Sequence, residues 1–245
     1  MWKYILLGAI QGIFEWIPIS SEGIVAIFGQ IFDIELNPVE VALFLHLGTF
    51  FAVLLCFWRE WKEVLLFRNK KLLKFLIIST SFSLVVGYPI YKIIRNMAMG
   101  SMLLIVVGTG LFLTAFFHKE KKRLPISFNK LAIISGLLQG LATIPGLSRS
   151  GSTIFGLSLS KMNISEILKI SYMMSVPVIL VSSIYLGLSN PSLPSEAWPA
   201  LILSFFVGIL SLHSLITLSK KINFFWFALI FGLMCLLGGV IGFLI

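Results

Sequence analysis

Charge is scarce in this chain: Asp, Glu, Lys and Arg together make up 12% of its 245 residues, and only 10 residues are acidic. A soluble domain of this length would have to leave much of its 58% hydrophobic content exposed in large patches. That excludes a water-soluble globule. With a mean hydropathy of +1.01, lipid is the expected solvent for most of the chain. Cysteine is scarcer still. Cys56 and Cys235 both lie inside apolar runs, which argues against a disulfide and a thiolate metal site and leaves the redox compartment unread. No cleavable leader is expected either, because the first apolar run, Tyr4 to Phe14, lacks a basic stretch and passes straight into Glu15 and a Pro-Ile-Ser-Ser segment.

Six stretches are long and apolar enough to cross a bilayer, which needs about 20 residues each. They are roughly Val39–Trp58, Leu72–Tyr91, Ser101–Phe117, Ile170–Leu188, Trp198–Leu218 and Phe224–Leu244. Two further segments are apolar yet unsuited to spanning. Residues 4–31 carry Gln11, Glu15, Pro18, Ser20, Ser21 and Glu22 in their middle. Residues 131–160 carry Gln139, Thr143, Pro145, Ser148, Arg149, Ser150 and Thr153. A straight lipid-facing helix would leave Glu15 or Arg149 in hydrocarbon, at a cost of several kcal/mol each. Broken backbone at membrane depth is tolerated only inside protein or along a wet cavity, so each segment reads as a re-entrant helical hairpin. The expected fold is an all-α polytopic membrane protein with six transmembrane helices and two such hairpins.

The distribution of positive charge orients this layout. The net charge of +9 does not call for nucleic acid, since basic residues of membrane proteins gather in cytoplasmic loops. Of the 19 Lys and Arg residues, only Lys3, Lys92 and Arg95 fall on one side, Arg149 lies within a hairpin, and the rest share the opposite side. Assigning that richer side to the cytoplasm puts both termini outside the cell membrane, the first hairpin entering from outside and the second from inside.

A repeat underlies the pattern. At one constant offset, Gly8-Ala-Ile-Gln11-Gly12 falls on Gly136-Leu-Leu-Gln139-Gly140, Ser20 on Ser148 and Gly23 on Gly151. Each half, about 1–117 and 131–245, then holds one hairpin and three spans within a single membrane domain. An odd number of spans per half forces opposite orientation, the inverted-topology repeat of many transporters. The paired glycines are expected to be scaffold, allowing close helix packing.

The second hairpin carries Pro145-Gly-Leu-Ser148-Arg149-Ser150-Gly151-Ser-Thr153. Small residues let backbone N–H groups approach an anion, the hydroxyls of Ser148, Ser150 and Thr153 add donors, and a helix starting there adds partial positive charge. Arg149 offers a planar fork suited to phosphate, or else a structural ion pair with Glu15 or Glu22. In the first hairpin Gln11 and Glu15 stand four apart on one helix face. Glu15 could share a divalent cation with phosphate oxygens or act as a general base. Ser20 and Ser21 could each be a nucleophile or a phosphate donor. His46 reads as a satisfied helix-bundle residue, His118 as an interfacial loop residue and His213 as packed within the bundle.

These motifs carry a resemblance. Gln11-Gly-Ile-Phe-Glu15, Pro18-Ile-Ser20-Ser21-Glu22-Gly23-Ile24, His46-Leu-Gly-Thr49 and the Pro145–Thr153 run resemble those of the bacitracin-resistance type of undecaprenyl-pyrophosphate phosphatases, over essentially the whole chain. The resemblance implies a membrane hydrolase that removes the terminal phosphate of a polyprenyl pyrophosphate at the outer face and so recycles a glycan carrier lipid. It implies Mg2+ or Ca2+ as cofactor, Glu15 and Gln11 in metal and pyrophosphate handling, Ser21 as nucleophile and Arg149 as phosphate clamp. One position departs: the family's histidine after Ser-Ser-x-Gly is Ile24 here, with Glu22 an extra carboxylate in the same turn. Either that histidine is dispensable, or Glu22 or His46 replaces it, or activity is lost or changed. A lipid flippase or transporter and a catalytically silent lipid-binding protein stand as alternatives, and a homodimer is left open.

Overall fold

The computed structural model describes residues 2–34, 38–94, 126–144, 147–189 and 197–244, with positions 105, 108, 109 and 112 between them. Among the described residues every regular element is a helix. In chain order these are α1 (Trp2–Phe14), α2 (Ser21–Ile31), α3 (Pro38–Cys56), α4 (Trp58–Leu65), α5 (Lys70–Ile94), α6 (Phe128–Leu141), α7 (Arg149–Ser158), α8 (Ile164–Ser189), α9 (Trp198–Ser219) and α10 (Phe224–Leu244).

Both polar segments break where their sequence requires it. α1 ends before Pro18, which has no N–H to donate, and the chain re-enters helix at α2 through Ser20 at a φ of 63°. α6 stops at Leu141 and α7 begins at Arg149. The caps match: Ser20 Oγ accepts from Gly23 N–H at 3.3 Å, and Ser148 Oγ accepts from Gly151 N–H at 3.1 Å. α1 packs on α2 and α6 on α7, so both segments are helical hairpins.

Among the described residues four helices, over Lys70–Lys92, Ile164–Tyr185, Trp198–Ser219 and Phe225–Phe243, are long and apolar enough to cross a membrane. A fifth span is present if α3 and α4 count as one helix bent by 82°. The expected span over 101–117 lies outside the described residues except for positions 105, 108, 109 and 112, as do Pro145, Gly146 and Arg95. One boundary is corrected. Trp58 does not close the first span but opens α4, where a loop was expected. Arg59, Glu60, Lys62 and Glu63 cannot continue into hydrocarbon, so the chain turns at Phe57 and α4 buries only Trp61 and Val64.

α9 shows why lipid is the right solvent. Trp198, Ile202, Phe206 and Leu210 form an exposed stripe at four-residue spacing. The opposite stripe, Ala200, Ser204 and Gly208, is small and packs against α1. There a Cβ on Gly12 would come within 2.8 Å of Gly208 N and 2.9 Å of Ser204 O. The second hairpin docks the same way on α5: a Cβ on Gly136 would meet Ser79 O at 2.5 Å, and one on Gly140 would meet Ser83 O at 2.8 Å. Backbones this close exclude any larger residue, which is how small-residue stripes bind helices in lipid. Gly12→Ala and Gly140→Ala are therefore each expected to lower the thermal midpoint in detergent by several degrees. Gly23→Ala, whose Cβ would meet only Ser20 Oγ at 3.4 Å, should leave it nearly unchanged.

Candidate active site

The two hairpin turns meet. Ser150 Oγ donates to Ile17 O at 3.2 Å, and Gly151 packs on Pro18. Between the turns lies a small polar cleft lined by Glu15, Ser20, Ser21, Glu22, His46, Ala142, Leu147, Ser148, Arg149 and Ser150.

Glu15 is the centre of the site. The helical hydrogen bond from its N–H to Gln11 O, 3.0 Å, continues the α1 register, so Gln11 and Glu15 share a face. Its Oε2 accepts from Gln11 Nε2 at 2.7 Å and from Ser21 Oγ at 2.9 Å, and lies 3.1 Å from His46 Nε2. Its Oε1 pairs with Arg149 Nη2 from the other hairpin. A carboxylate only 3% exposed is tolerable on these terms, because donors reach it from both hairpins and from α3, the Arg149 guanidinium among them. Of the two structural partners open to Arg149, the geometry selects Glu15. The other end of the guanidinium, Nη1, is buried without a hydrogen-bond partner among the described residues.

Ser148 and Ser150 stand side by side at the cavity wall, their hydroxyls 3.1 Å apart. Ser148 also caps α7, and Ser20 caps α2, so both lining hydroxyls are partly committed. Glu22 lines the cavity from the first turn of α2. Three expected contact residues are not brought to the cavity. Gln11 stands behind Glu15 as its donor. Gly151 gives its N–H to the Ser148 cap. Thr153 sits one turn deeper in α7, bonded to Arg149 O at 2.9 Å and Ser171 Oγ at 2.6 Å.

A divalent cation on Glu15 does not fit this arrangement. Both oxygens already accept from side chains, one of them a guanidinium, and among the described residues no three His, Cys, Asp or Glu side chains form a cluster able to hold a metal ion.

Sequence reasoning missed the frame around the turn. Tyr172 on α8 donates its O–H to Trp16 O at 3.0 Å, and Trp16 Nε1 donates to Gly208 O at 3.0 Å and Ser211 Oγ at 2.9 Å. The buried aromatic pair sits edge-on with centroids 5.2 Å apart and locks the chain just past Glu15. No local signal marks Tyr172, which lies in an otherwise unremarkable apolar span.

The apolar helices and this charged cavity between two hairpins define the class: a multi-pass membrane protein with a buried ionic site built from both halves of its chain. More narrowly, the chain belongs to the family of bacitracin resistance protein BacA, whose family model matches residues 4–239. It is 36% identical to the undecaprenyl-diphosphatase of Thermosipho africanus, covering 99% of each chain. It is 31% identical to the undecaprenyl-diphosphatase of Methanococcoides burtonii, over 95% of this chain and 96% of that one. The undecaprenyl-diphosphatase of Haloarcula marismortui is also 31% identical, over 97% and 96% respectively.

Tyr172→Phe removes the hydroxyl that donates to Trp16 O and is expected to cost about 1–2 kcal/mol of stability. A thermal melt in detergent checks it, the midpoint falling while the helical signal at low temperature stays the same.

Proposed function

We propose that this protein is a membrane phosphatase that hydrolyses a polyprenyl pyrophosphate to its monophosphate, returning a glycan carrier lipid to use. The observation that carries the reading is the divided Arg149 fork, with one nitrogen on Glu15 and the other unpartnered beside a cavity that also holds Ser21. A buried cationic donor without a partner favours a phosphate oxygen strongly. The family and the names of the relatives support the same substrate class.

The proposed reaction begins when the terminal phosphate enters and Arg149 turns its fork to it, aided by the hydroxyls of Ser20, Ser148 and Ser150. Glu15 then loses one cation and becomes a better base. Ser21 Oγ attacks the terminal phosphorus while its proton passes to Glu15 Oε2, 2.9 Å away. The bond from that phosphorus to the bridging oxygen breaks, and polyprenyl monophosphate leaves with the electron pair. Water then attacks the phosphoserine. Glu22 takes the water's proton, inorganic phosphate is released, and Ser21 recovers its proton from Glu15. No step of this reaction is routed through the Mg2+ or Ca2+ that the resemblance implies. Transport of the same lipid would leave the Ser21–Glu15 contact without a use.

Around this chemistry we propose six spans and two re-entrant hairpins in inverted halves, 1–117 and 131–245, with both termini and the cavity toward the extracytoplasmic side. The matched caps at Ser20 and Ser148 support the repeat. So do the matched dockings of Gly12 on Ser204 and of Gly140 on Ser83.

Detergent-solubilised protein is expected to release phosphate from polyprenyl pyrophosphates, tested at C15 and C55 with and without a chelator. Glu15→Ala, Ser21→Ala and Arg149→Ala should each lower the rate at least about 100-fold. No release from either substrate would overturn the reading.

A further inference from the structure

His46 is the one histidine among the described residues that lines the cavity. It sits midway along α3, 8% exposed, and both ring nitrogens are engaged. Nδ1 lies 2.5 Å from the carbonyl oxygen of Ala42, one turn back. A carbonyl only accepts, so Nδ1 carries a proton. Nε2 lies 3.1 Å from Glu15 Oε2, a carboxylate held ionised by Arg149 and by the donors Gln11 and Ser21. That oxygen also accepts, so Nε2 carries a proton too. The charged groups around the ring are Glu15 and Glu22 of the first hairpin and Arg149 of the second.

The two cations on Glu15 differ in freedom. Arg149 has a long stem and a half-unpartnered fork, so it can leave for a phosphate. The His46 ring is tied to its own backbone at Ala42, and α3 is itself pinned. A Cβ on Gly48 would come within 2.6 Å of Leu201 O, and Ser204 Oγ donates to Leu45 O at 3.0 Å. His46 therefore cannot follow a ligand. Position 24, one turn beyond Ser21 on the same face of α2, is an apolar isoleucine, so the first hairpin brings no imidazole of its own.

We propose that His46 is a positioning residue for the reaction: from α3 it holds Glu15 Oε2 on Ser21 Oγ while Arg149 moves to the substrate. This rests on the phosphatase reading. In its absence, Glu15 would be left with no fixed cation once substrate binds, and its carboxylate would be free to rotate away from Ser21. The loss should fall on turnover and not on substrate binding, because His46 spends both nitrogens on the protein.

Two measurements test this. The first needs no turnover: nitrogen NMR of histidine-labelled protein in micelles, with the His46 signal assigned by its loss in His46→Gln. Both ring nitrogens are expected to be protonated near pH 7, and Glu15→Gln is expected to shift the ring to a neutral tautomer. A His46 signal unmoved by Glu15→Gln overturns the proposal. The second is steady-state phosphate release from polyprenyl pyrophosphate. His46→Gln should lower kcat at least about tenfold with KM within about threefold, and adding Ile24→His should restore part of kcat by presenting an imidazole from the Ser21 face. Full kcat in His46→Gln, or a loss confined to KM, overturns it. Wild-type protein that releases no phosphate counts against the phosphatase reading, and the NMR result still decides the pairing.

Discussion

A single buried carboxylate holds this site together. Glu15 sits at the break of the first hairpin with donors arriving from its own helix (Gln11), from the start of α2 (Ser21), from α3 (His46) and from the second hairpin (Arg149). Leaving such a group unpaired in an apolar interior costs several kcal/mol, so hairpins, α3 and turns are all constrained to positions that keep it paired. The glycine dockings on α5 and α9 place the two hairpins deeply enough for the turns to touch, and Trp16 and Tyr172 then fix the chain just past Glu15. Scaffold and chemistry thus meet at one residue.

In the proposed reaction, this arrangement holds the base back until substrate arrives. A carboxylate between a guanidinium and an imidazole is a weak base. A phosphate entering the cavity competes for Arg149, whose second nitrogen has no partner to lose. In the proposed reaction, substrate binding would itself free the base that activates Ser21, which is a direct use of binding energy for the chemical step.

Much of the fold was legible because membrane depth makes polar residues conspicuous. Glu15 and Arg149 inside apolar runs demanded broken backbone, and both segments are helical hairpins. The offset that aligned Gly12 with Gly140 pointed to scaffold, and both glycines lie against neighbouring backbone. α4 was read as loop because an eight-residue stretch with four charges has too little apolar content to declare itself; only Trp61 and Val64 turn inward. Within the site, the resemblance placed residues by motif, which carries no direction. Thr153 belongs to the right run but sits a helical turn, about 5.4 Å, below Arg149. His46 read as a bundle histidine, and as a site residue only as one substitute for the motif histidine, because nothing local says that α3 lies against the first hairpin. Tyr172 was invisible for the same reason: its partner, the Trp16 carbonyl, is distant in sequence.

The central claim is that Glu15 and Arg149 act as one unit across the two halves. A double-mutant cycle of Glu15→Gln and Arg149→Met, read from reversible unfolding in mixed micelles, tests it most directly. Each single change should strand a buried partner and cost about 3–5 kcal/mol, while the double change costs much less than their sum, a coupling of at least about 2 kcal/mol. Additive effects would show that the two residues do not pair, and would contradict the account.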